Sequence, residues 1–136
     1  MDLTKALTLS TAGMKAQGTR LRIIAENIAN ANSAAPTAGE QPYRRKIVTF
    51  RNELDRAAGV NMVEVDKVKT DNSEFQRKYD PGHPSADAQG YVLLPNVSSL
   101  VEMADMREAT RSYEANVSTM DLTKQMLLRT IDILRG

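Results

Sequence analysis

Apolar side chains recur on a seven-residue rhythm at both ends of the chain and lose it in between. Over residues 2–31, Leu3, Leu7, Ser10, Met14, Gln17, Leu21, Ile24, Ile28 and Ala31 alternate spacings of four and three. That pattern places them on one face of an amphipathic helix. Leu7, Met14, Leu21 and Ile28 form the strong half of the stripe, whereas Ser10 and Gln17 thin the other half. Gly13 and Gly18 each lower helix propensity by roughly 1 kcal/mol relative to Ala. Small residues at Ala6, Gly13 and Ala16 offer a compensation, since they let another helix approach closely. Asp2 is placed to cap the first turn.

A second stripe runs through residues 97–135: Met103, Met106, Thr110, Tyr113, Val117, Met120, Lys124, Leu127, Ile131 and Leu134. Its spacings are again three and four, with Thr110 and Lys124 as the weak positions. Asn96 and Ser98, following Pro95, are alternative N-caps. A strict seven-residue period implies a left-handed supercoil, and the two helices are expected to pair along their stripes. Leu122, Met126, Leu128 and Ile133 lie off this seam. Two paired helices cannot bury so broad an apolar surface against each other, which points to cover from neighbouring molecules.

Between the stripes the period changes. Residues 32–42 contain Pro36, Gly39 and Pro42 and read as a loop. Tyr43–Phe50, Asn61–Val68, Phe75–Tyr79 and Tyr91–Leu94 read as strands, and Asn52–Ala58 as a helical turn. Connections this short favour antiparallel pairing. The fold class expected is mainly α with a small β-rich insert, its long N- and C-terminal helices packed as a coiled-coil-like pair. Three regions follow: an N-terminal helix over 1–35, a loop and small β-rich region over 36–96, and a C-terminal helix over 97–136.

Composition narrows the function. Eighteen Lys plus Arg against 17 Asp plus Glu give a net charge of +1, without the positive field of a nonspecific nucleic-acid binder. There is no Cys, hence no disulfide, thiol nucleophile or Cys-based zinc site. The first 30 residues do not read as a signal peptide, and no apolar run is long enough for a membrane span. The single histidine, His83, sits in Asp80-Pro81-Gly82-His83-Pro84, a turn-forming sequence. No nucleophile elbow or phosphate loop is present, and neither enzymatic activity nor a cofactor is expected. Arg44-Arg45-Lys46 is the densest basic run, read either as a solvated strand edge or as contacts to an acidic partner.

Several stretches carry a resemblance to a known family: Glu26-Asn27-Ile28-Ala29-Asn30-Ala31-Asn32 at the end of the first helix, Asp80-Pro81-Gly82-His83-Pro84 followed by Gly90-Tyr91-Val92 and Leu94-Pro95-Asn96-Val97, and Glu108-Ala109-Thr110-Arg111-Ser112-Tyr113-Glu114-Ala115-Asn116. With Arg44-Arg45-Lys46 after Pro42-Tyr43, this combination resembles the flagellar rod and hook proteins, within them the proximal rod group. Where that family usually has Thr and a short Pro/Gly loop after its asparagine motif, Ser33-Ala34-Ala35-Pro36-Thr37 stands here. The resemblance implies a subunit of the basal-body rod that crosses the periplasm, with both terminal helices in the rod core. It implies export by the flagellar type III apparatus. The partners it implies are copies of itself, other proximal rod proteins and the adaptor joining rod to membrane ring, with neither nucleic acid nor stable membrane insertion. Its assembly residues are expected to be Leu7, Met14, Leu21, Ile28, Asn27, Asn30, Asn32, Met106, Tyr113, Asn116, Met120, Leu127 and Ile131, with Arg44, Arg45 and Lys46 as partner contacts. The asparagines are expected to bond exposed backbone at the helix end. A cytoplasmic coiled-coil adaptor is the alternative reading of the same stripes.

Overall fold

A computed structural model of the chain describes residues 2–136. Helix α1 spans Leu3–Asn30 and helix α2 Ser99–Arg135, together about half of the sequence. Between them come strands β1 (Lys46–Asp55), β2 (Val60–Thr70), β3 (Gln76–Tyr79) and β4 (Tyr91–Leu94). They form two separate two-stranded sheets, β1 with β2 and β3 with β4.

Local chemistry sets these boundaries. Asp2 starts α1, its carboxylate accepting the Thr4 N–H at 3.0 Å. The Thr4 hydroxyl bonded to Asp2, together with neighbouring backbone amides, holds that carboxyl below the usual range. β1 continues through residues the sequence assigns to a helical turn. The turn comes only after Asp55, whose carboxylate accepts the N–H groups of Ala57 and Ala58 at 2.9 and 3.2 Å. Gly59, at φ 65°, closes it by donating to the Asp55 carbonyl at 2.7 Å, an Asx-type turn that prevails over the high helix propensity of Arg56-Ala57-Ala58 because three residues are too few to nucleate a helix. β3 and β4 pair antiparallel, with Tyr79 opposite Tyr91 and Gln76 opposite Leu94. The loop joining them needs Gly90, since φ is 85° there and a Cβ would lie 2.9 Å from the Tyr79 ring.

Contacts divide the chain into two compact units. One comprises α1 as far as Leu21, Val48–Lys67 and Arg107–Gly136; the other comprises Arg22–Ile47 and Val68–Met106.

In the first unit α1 and α2 run antiparallel. Arg20 Nη2 lies 3.6 Å from Glu108 Oε2, and Gly13 lies against the Asn116 side chain. Ser10, Ala16, Ala109 and Thr123 are buried in this unit. The buried line on α2 is therefore displaced by one residue from the greasy stripe. Ala109, Asn116 and Thr123 take the inner positions, one ahead of Thr110, Val117 and Lys124. Small size explains Ala109, which lets the backbones close up. The polar pair is tolerated because each satisfies itself on its own helix, Asn116 Nδ2 donating to Ser112 O at 2.9 Å and Thr123 Oγ1 to Thr119 O at 2.7 Å.

The second unit has a core of Ile23, Ile24, Ala31, Ala35, Val92, Pro95 and Val97. Here the sequence offered Asn96 as a helix cap, but its side chain is engaged elsewhere: Oδ1 accepts Arg45 N at 2.8 Å, and Nδ2 donates to Asp71 O at 3.0 Å. α2 starts instead from Ser98, whose carbonyl accepts Glu102 N at 3.0 Å.

A Cβ on Gly13 would meet Asn116 Nδ2 at 2.8 Å, so the two positions are coupled. Gly13→Ala alone is expected to give no gain in stability, because displacing the Asn116 amide offsets the helix-propensity benefit. In an Asn116→Ala background the same change is expected to stabilise by about 1 kcal/mol. Denaturant unfolding of the four chains measures this cycle, and equal effects in both backgrounds would refute the coupling.

Candidate functional site

Two features stand out: a buried polar cluster in the second unit, and apolar side chains left uncovered along α2.

Asn27, 1% exposed, sits at the centre of the cluster. Its amide pairs with the backbone of Lys46 as a strand residue would, Nδ2 donating to Lys46 O at 2.8 Å while Lys46 N donates to Oδ1 at 2.9 Å. The second donor position of Nδ2 goes to Glu102 Oε2 at 3.0 Å, and Oδ1 also accepts the Tyr43 hydroxyl at 2.8 Å. All four hydrogen-bonding positions of one amide are thus filled. This single side chain fastens α1, the start of β1 and the first turn of α2 to one another.

Glu102 is equally buried and takes Arg45 Nε on its other oxygen at 2.6 Å. Arg45 also faces Asp71 at 3.6 Å and Asp105 at 3.8 Å. Burial would lower the Arg45 guanidinium pKa, but the hydrogen bond and charge of Glu102, with Asp71, outweigh it and raise the value. Asp71 is held below the usual carboxylate range, first by the Ser73 N–H at 2.9 Å and then by Arg45. Burial, reinforced by the nearby charges of Glu26 and Glu102, pushes the Tyr43 phenol up to about 12, so it remains a donor. Lys46 reaches the Glu26 carboxylate, and Arg44 stacks 4.3 Å over the Phe75 ring. The basic run thus has partners inside its own unit.

The three motif asparagines have different duties. Asn27 is the clamp. Asn30 turns back on its helix, Nδ2 donating to Glu26 O at 2.9 Å, and its carbonyl accepts the Ser33 hydroxyl at 2.7 Å. Asn32 is exposed. Leu7, Met14, Leu21 and Ile28 on α1, and Met106, Asn116, Met120 and Leu127 on α2, are half-buried, while Tyr113 and Ile131 are exposed. Glu102 escaped the sequence reading, which had Tyr43 only as a strand residue and Asn96 only as a helix cap. The available signal for Glu102 was an acid seven residues before Ala109, on the line that proves to be buried.

On α2, Leu122, Met126 and Ile133 are 59%, 52% and 80% exposed and recur on one face. Leu100, Val101 and Met103 are likewise uncovered in the second unit. No helix among the described residues is long and apolar enough to cross a membrane. His83 Nδ1 accepts the Ser85 N–H at 3.1 Å, a bond within its own turn.

Residues 88–133, which include β4 and nearly all of α2, match the family described as flagellar basal body rod FlgEFG protein C-terminal. Over 134 residues the chain is 50% identical to the flagellar basal-body rod protein FlgC of Agrobacterium fabrum, covering 98% of this chain and 96% of the relative. The chain belongs to the FlgC family of flagellar basal-body rod proteins. FlgC of Bacillus subtilis is 38% identical over 148 residues, covering 98% of this chain and 99% of its own. FlgC of Escherichia coli O157:H7 is 38% identical over 133 residues, covering 98% of each. The FlgC family is one of structural rod proteins, not enzymes, and its place is the flagellar basal-body rod.

Asn27→Asp replaces a donor to Glu102 with a second carboxylate in a buried site. It is expected to destabilise the chain by about 3 kcal/mol or more, whereas Asn32→Asp should stay within about 0.5 kcal/mol. Chemical denaturation of the two variants decides, and equal losses would remove Asn27 from the central role. Tyr43 adds a pH signature. The phenol ionises near 10 when unfolded and near 12 when folded, so its contribution is intact below about pH 10 and is lost as pH rises through about 12. The stability difference between the parent chain and Tyr43→Phe should therefore shrink across that window in unfolding curves; a constant difference would count against the assignment.

Proposed function

We propose that this rod subunit works in the proximal rod, transmitting motor torque through helical packing against neighbouring subunits. In this reading residues 1–35 and 97–136 supply the rod core, with α1 and α2 wound as a coiled-coil-like pair, and residues 36–96 form the small β-rich region. The partners are further copies, other proximal rod proteins and the adaptor joining rod to membrane ring, reached after export through the flagellar type III apparatus.

The observation that carries the proposal is the second apolar face of α2. Leu122, Met126 and Ile133 remain more than half exposed although the inner line of the same helix is buried. Fully covering one such side chain contributes about 1.5–3 kcal/mol, and each subunit repeats the set. Torque transmission also requires a subunit that does not shear internally. The Asn27–Glu102–Arg45 cluster meets that need within the second unit, because its directional bonds allow only one alignment of the elements it joins.

Met126→Asp is expected to abolish swimming and to remove the chain from isolated basal bodies, while leaving the thermal midpoint of the purified chain within a few degrees of the parent. His83→Ala should swim normally. Soft-agar motility with immunoblots of basal bodies reads both, and equal motility of the two variants would overturn the proposal.

A further inference from the structure

Each compact unit is discontinuous in sequence. The first takes α1 as far as Leu21, Val48–Lys67 and Arg107–Gly136, and the second takes Arg22–Ile47 and Val68–Met106. α2 begins at Ser99 and is the last element in chain order, so it supplies the final segment of both. In the first unit that segment brings the buried Ala109 and Thr123, and in the second the buried Glu102.

Little between the helices can hold itself together. β1–β2 and β3–β4 are separate two-stranded sheets, an arrangement marginal in water on its own. Ile47, Phe50 and Leu54 on β1 and Val63 and Val68 on β2 are exposed. Among the described residues, the buried apolar side chains within 36–96 are Pro42, Val92 and Pro95, and the rest come from the helices and their flanks. The polar bonds point the same way. At the start of β1, the Lys46 backbone and the Tyr43 hydroxyl bond to Asn27 on α1, and Arg45 bonds to Glu102 on α2. Without α2, Asn27 keeps a donor that has no acceptor and Arg45 loses its closest carboxylate.

We infer that the fold is closed from its C-terminal end: residues 2–98 hold no stable structure by themselves, and the arrival of α2 completes each unit. The β-rich region is therefore not an autonomous domain but depends on the helices. Synthesis proceeds from the N-terminus, so α2 emerges last, and the contacts it makes with α1 close nearly the whole length of the chain, the kind of pairing that forms slowly. A chain held open until its last helix joins stays in a form that a narrow channel admits. That use rests on the export route proposed above, whereas the closure itself does not.

Ribosome-bound chains test the closure. The complete chain is stalled behind a C-terminal Gly/Ser linker, in one case short enough to leave residues 99–136 inside the exit tunnel and in the other long enough to clear it. Trypsin then reads the state of Arg45 and Lys46, which are engaged with Glu102 and Glu26 in the folded chain. With the short linker, cleavage after these residues is expected to be as fast as in denaturant, and with the long linker slower by about tenfold or more. Releasing the short-linker chain with puromycin is expected to bring the same protection. Slow cleavage while α2 is still in the tunnel overturns the inference, because residues 2–98 would then be structured alone. Fast cleavage after α2 has emerged or been released overturns it too, because α2 would not be closing the fold. Either failure leaves the rod function standing, since that is read from motility and from the presence of the chain in basal bodies.

Discussion

The second unit depends on one constraint: a carboxamide with no contact to water must have all its hydrogen bonds met by protein. Asn27 meets it through Lys46, Tyr43 and Glu102. Each partner is thereby recruited into a further obligation. Glu102, once buried, requires a cation, which Arg45 provides at 2.6 Å. Arg45 then draws in Asp71, and Asn96 takes up the Arg45 amide and the Asp71 carbonyl. A chain of this kind adds little net stability, since desolvation of the charges consumes much of their attraction. Its effect is on uniqueness. Sliding α1 by one residue would leave several buried polar groups unpaired at 1–3 kcal/mol each, whereas an apolar contact of the same area would merely repack.

This division between polar specification and apolar adhesion accounts for what the sequence revealed. Helix positions and the last two strands were legible because period, caps and turn residues act locally: β4 occupies Tyr91–Leu94 as read, and α1 ends one residue short of the stripe's last position. The face used was harder. Hydrophobicity alone ranks Met103 and Lys124 by their apolar neighbours, but the contact selects size and self-sufficiency. Ala109 is completely buried because nothing smaller with a side chain exists, and Thr123 is accepted because its hydroxyl is already spent on Thr119 O.

The cluster itself was only half visible. A motif of three asparagines looks uniform in the sequence, yet their surroundings separate a four-bond clamp from a helix-end bond and an exposed residue. Glu102 was marked only by its seven-residue spacing to Ala109, beside a more apolar stripe, and the cation that lets it be buried lies 57 residues earlier, at Arg45. Non-local pairing of this sort adds no periodicity of its own. Arg44-Arg45-Lys46 shows the complementary case. As a run it suggests a solvated or partner-facing surface, but stacking on Phe75, ion pairing with Glu102 and contact with Glu26 direct its three members to three different neighbours.

An assembling subunit gains from this allocation. Glu102 is engaged inside its own unit, while Leu122, Met126, Leu128 and Ile133 stay uncovered farther along α2. Apolar contacts between subunits are non-directional and little affected by salt, so they tolerate small differences in geometry wherever one face meets more than one kind of neighbour. Directional polar bonds would suit the opposite situation, one fixed partner in one fixed pose, and they occur where the elements to be aligned belong to the same chain. Under the packing proposed above, the placement of the two kinds of interaction follows from how many geometries each contact would serve: one at Asn27, more than one along the outer face of α2.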